Sequence, residues 1–178
     1  MPGRPSIPPP LPSEVLARTI RLSNADGRLV LWLSGLFALF AAAGHDAIGA
    51  AAGCAAAGAG AIELHGCGLL RREELRGVDW LIRGQLLLLA AILIYTALRL
   101  THFDVESLRE RITPEIDDKI SQVGMTRDQF LDACRTLYQI FYALVGFIAL
   151  LYQGTMARYY ARRRLTIQQA LQEHQPIA

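Results

Sequence analysis

The chain has 178 residues, 52% of them hydrophobic and 19% charged, with a formal net charge of +2. So even a balance points to no nucleic-acid partner, and three cysteines in no metal-ligand pattern read as free packing residues. Almost all the charge lies between long apolar blocks. One of them, Leu86–Leu98, lacks the polar face of a soluble amphipathic helix, which excludes an ordinary globular domain.

In chain order, residues 1–12 hold six of the eight prolines and are expected to form a disordered tail. Ser13 can cap a short helix over Glu14–Leu22, and Asn24-Ala25-Asp26-Gly27 reads as a turn. A bilayer needs roughly 20 mostly apolar residues per helix. Of the four candidate stretches, about 29–44, 47–70, 80–100 and 137–157, the last three meet that length and the first is short but directly precedes the second. The fold class expected is an all-α membrane protein, its four-helix transmembrane domain covering 13–164. An alternative for the start is a secretory signal peptide cleaved after Ala43. The long basic region before it and the apolar block directly after it weigh against cleavage.

The second crossing carries Gly49, Gly53, Ala56, Gly60, Glu63 and Cys67 at 4-3-4-3-4 spacing, which is one face of a helix rich in small residues. Glu63 stands on that face, and a carboxylate in hydrocarbon must be paired, protonated or turned to a cavity. Antiparallel pairing about the short link sets Glu63 beside Leu86, less than a turn from Arg83. The expected role is a structural Glu63–Arg83 pair, with an ion-handling carboxylate as the alternative. Gln85, Gln139 and Gln153 are expected to hydrogen-bond across helices, and His65 is the one histidine within a crossing.

Residues 101–135 form an outer amphipathic segment. Asp104 can cap Val105–Arg111, Thr113-Pro114 starts a second short helix, Gly124 ends it, and Thr126 with Gln129 makes a capping box. His45, Asp46, His102 and Asp104 are weak candidates for a metal, read more simply as solvated interfacial groups; no metal site is expected. A tail, 165–178, follows the last crossing.

Arginines cluster at Arg18, Arg21 and Arg28, at Arg71, Arg72 and Arg76, and at Arg158, Arg162, Arg163 and Arg164. Four crossings with both termini in the cytoplasm put all three clusters on one side, as expected of a bacterial-type plasma (inner) membrane. Phosphate-binding loops, zinc motifs, nucleophile elbows and basic strips for nucleic acid are missing from the sequence. The expected role is therefore a non-enzymatic assembly or accessory component acting through helix–helix contacts, with the bilayer, a second copy or another membrane protein as partner and no cofactor. The alternative is a small transporter or channel subunit using Glu63.

Overall fold

The computed structural model describes residues 11–102, 105–110 and 112–174. The protein is 91% helical, with no strand among the described residues. Six helices follow one another: α1 Pro12–Ala43, α2 Ala47–Arg71, α3 Arg76–Thr101, α4 Val105–Glu110, α5 Pro114–Gln122 and α6 Arg127–His174. Four of them, α1, α2, α3 and α6, are long and apolar enough to cross a membrane. Their exposed side chains include Trp32, Phe37, Phe40, Leu86, Ile94, Phe141 and Phe147, which lipid would cover.

Two boundaries differ from expectation. Helix α1 runs without a break through Asn24–Gly27, where a turn was expected. Helix α6 continues through the expected tail to His174, with Ile167, Ala170 and Leu171 buried. The proline-rich stretch 1–10, the Asp104 cap and residues 175–178 lie outside the described residues.

The chain divides into two compact units. The first contains the chain up to Ala91 and from Tyr152 onward. Its apolar core joins Val15 of α1, Leu70 of α2, Val78 and Leu81 of α3, and Met156, Tyr160, Ile167 and Leu171 of α6. Glycines let the backbones approach. A Cβ on Gly60 would stand 2.7 Å from the Leu31 nitrogen of α1, and one on Gly66 would stand 2.9 Å from the Gly77 oxygen of α3. Neither space admits a side chain.

The second unit is Ile92–Leu151. Aromatic rings hold it: Tyr142 meets Tyr95 at 5.9 Å, Tyr138 at 4.6 Å and Phe141 at 5.3 Å between centroids. The Arg99 guanidinium lies 5.1 Å from the Tyr95 ring. Helix α5 starts with Pro114 in its first turn and ends before Gly124, whose φ of 77° suits glycine. The start of α6 is fixed by the capping box, with the Thr126 nitrogen donating to Gln129 Oε1 at 2.9 Å and the Gln129 nitrogen to Thr126 Oγ1 at 3.3 Å. Ile120 is buried, whereas Ile116 and Val123 are exposed, so the apolar edge of α5 is only partly covered.

Candidate functional site

Within the first unit, four helices each bring polar groups to one place. Because α1 is continuous, Thr19, Ser23 and Asp26 fall at helical spacing on one buried face. Thr19 and Ser23 donate to their own helix backbone, at Val15 and Ile20. Asp26 projects beyond them. On α2, Glu63 is 2% exposed; on α3, Gln85 is fully buried.

Gln85 joins the two acids. Its Nε2 donates to Asp26 Oδ2 at 2.9 Å and to Glu63 Oε1 at 3.0 Å, one hydrogen to each. From α6, the Tyr160 hydroxyl donates to Glu63 Oε1 at 2.9 Å and the Tyr152 hydroxyl to Asp26 Oδ1 at 3.2 Å. The result is a dicarboxylate cluster in which every donor is neutral. Among the described residues neither acid has a Lys, Arg or His partner. The far end of the bridge, Gln85 Oε1, is buried without a hydrogen-bond partner.

Two carboxylates sharing one amide in a place of low dielectric repel each other, and neutral donors soften that repulsion without cancelling it. A proton or a small cation would. The oxygens present belong to two carboxylates, two phenols and an amide, which suits a proton or a hard cation and gives no soft ligand for a transition metal.

The expected Glu63–Arg83 pair is not formed. Glu63 packs against Gly84, where a Cβ would stand 3.3 Å from the Glu63 nitrogen, and Arg83 lies at the surface of α3. There it is exposed, its guanidinium 5.4 Å from the ring of Trp80, which also takes the edge of His65 at 5.1 Å. Gln85 bonds across helices; Gln139 and Gln153 do not among the described residues, and Gln153 Oε1 is buried without a partner. Gly49, Gly53, Ala56, Gly60, Glu63 and Cys67 are all buried. A Cβ on Gly53 would stand 2.8 Å from Ala38 of α1, so the stripe packs against a helix of the same chain.

Two of the four weak metal candidates are otherwise engaged. Asp46 caps α2 by accepting from the Gly49 nitrogen at 2.9 Å, His45 sits exposed in the turn, and the His102 ring contacts Thr101 and the Leu98 oxygen. Asp104 lies outside the described residues. No three His, Cys, Asp or Glu side chains gather among the described residues. All three cysteines are free, Cys67 donating to the Ile20 oxygen at 3.4 Å. Asp26, Tyr152 and Tyr160 are the site residues that sequence reasoning missed. No family model, curated protein or solved structure matches this chain.

Proposed function

We propose that this chain is a multi-pass protein of a bacterial-type plasma membrane, both termini cytoplasmic, that takes up and releases protons or small cations at Asp26 and Glu63. One observation carries the reading: two carboxylates from different helices, buried within membrane-length segments, share a single amide nitrogen with no cationic partner among the described residues. An ionisable group within a crossing, as Glu63 is within 47–70, is expensive and is kept where it does a job. The arginine distribution supports the orientation. An assembly role drew on the small-residue stripe of α2. That stripe is spent on α1, which leaves ion handling the better supported reading.

Purified protein in liposomes, with a pH-sensitive dye inside, tests it. We expect proton or cation flux from this protein alone, lost in both Glu63→Gln and Asp26→Asn while the helical signal is kept. Flux that survives both substitutions, or its absence from the parent protein under both proton and cation gradients, would overturn the proposal.

A further inference from the structure

Arginines from α1 and α6 surround two neighbouring cavities in the first unit. One, about 390 Å³, is lined by Arg18 and Arg21 of α1, Tyr159 and Arg163 of α6, and Glu14 and Val15. The other, about 420 Å³, is lined by Thr155, Arg158, Tyr159, Arg162 and Arg163. Tyr159 and Arg163 belong to both. Helical spacing explains the gathering: Arg18 and Arg21 are three apart, while Arg158 and Arg162, like Tyr159 and Arg163, are four apart and share a face.

Neighbouring arginines are treated differently. Arg164 turns to Asp79 and pairs with it at 2.9 Å. Arg18, Arg21, Arg158, Arg162 and Arg163 have no carboxylate within bridging distance among the described residues, and Glu14 is the one acid in either lining. The Arg163 guanidinium lies 5.8 Å from the Tyr159 ring, within cation–π range. Five guanidinium groups around adjoining cavities repel one another unless an anion enters, and their planar forks match phosphate oxygens two at a time. Both helices continue into segments of membrane-crossing length. A lipid headgroup can therefore reach the cavities while its acyl chains stay on apolar side chains.

We propose that the two cavities form a binding site for a phosphate-bearing anion, supplied by the headgroup of an anionic phospholipid. The site is separate from the dicarboxylate cluster and stands whether or not that cluster moves ions.

Thermal unfolding of the full-length protein in lipid-free detergent tests the site, because a ligand that binds the folded state raises Tm with concentration. The probes are dioctanoyl phosphatidylglycerol, dioctanoyl phosphatidylcholine and inorganic phosphate. We expect a saturable rise with phosphatidylglycerol and none with the zwitterionic lipid. Arg18→Gln with Arg163→Gln should weaken the phosphatidylglycerol response about tenfold or more, as loss of bidentate contacts would. Arg158→Gln with Arg162→Gln, at exposed positions, should do the same should the first pair disturb folding. Arg164→Gln should lower Tm and leave the lipid response intact. Inorganic phosphate acting at the same concentrations as the lipid would keep the anion site and assign it to a soluble phosphate. An equal response to phosphatidylcholine, or a phosphatidylglycerol response unchanged in both double variants, would overturn the proposal.

Discussion

Tyr160 and Tyr152 each donate one hydrogen bond to a carboxylate of the cluster, but Tyr160 is fully buried whereas Tyr152 is 48% exposed. Removing a buried donor leaves a buried acceptor short of a partner, while an exposed one is replaced from its surroundings. Tyr160→Phe should therefore cost about 1–3 kcal/mol and Tyr152→Phe clearly less. In a Glu63→Leu background, Tyr160→Phe should become nearly neutral, since its acceptor has gone. A denaturant titration of the four proteins of this cycle in detergent measures the difference; additive losses would separate Tyr160 from Glu63. Of the cluster, Glu63 was legible in the sequence because a carboxylate amid Ala and Gly has no solvent to face. Asp26 was hidden by its neighbours, since Asn-Ala-Asp-Gly is turn chemistry when read locally. The signal that finds it is the 4-3 spacing of Thr19, Ser23 and Asp26, which makes sense only if the helix runs on. Arg83 misled for the opposite reason. Antiparallel register said nothing about direction, and the Arg83 guanidinium lies instead 5.4 Å from the Trp80 ring at the surface.

At the scale of the helices, tertiary contact overrides local preference. Gly27 looked like a turn residue. In the structure its missing side chain makes room, since a Cβ there would lie 3.1 Å from Leu64 Cγ and 3.2 Å from the Gly60 oxygen. The same contact explains why α1 stays helical where its residues favour a turn. Glycines of α2 thus fall into two kinds, and they give a test with its own control. A Cβ on Gly60 would lie 2.8 Å from the Gly27 oxygen, whereas one on Gly58 meets nothing within 4 Å. Gly60→Ala should force α1 and α2 apart and cost about 1–3 kcal/mol as an overpacked site does. Gly58→Ala should be neutral or stabilising by up to about 1 kcal/mol, the helix-propensity difference between the two residues. Equal responses would mean that the close approach of α1 and α2 does not govern stability. Four membrane-length helices were legible because apolar length is a whole-segment signal. The ends of α1 and α6 were not, because packing on Val15, Ile167 and Leu171 extends them beyond the apolar stretches.

For the molecule as a whole, the arginines set the orientation proposed here. Four crossings would bring the clusters at Arg18–Arg28, Arg71–Arg76 and Arg158–Arg164 to one side, and the charge rule would make that side, with both termini, cytoplasmic. Ser121 of α5 would then be outside, and the exposed Gln169 near the end of α6 inside. Replacing Cys54, Cys67 and Cys134 removes the free thiols; Cys67 is buried, so Cys67→Ala is the substitution whose effect on folding needs checking. On that background, a membrane-impermeant maleimide applied to intact cells should label Ser121→Cys. It should label Gln169→Cys only after the membrane is opened. The charge rule weighs residues close to crossing ends, and the arginines qualify on that count even where α6 continues beyond its apolar stretch as a helix. Their electrostatic work is also not finished by orientation, since Arg164 is neutralised by Asp79 and five others face open cavities. Labelling of Gln169→Cys in sealed cells, with Ser121→Cys protected, would reverse the orientation and put the arginine-lined cavities on the outer face.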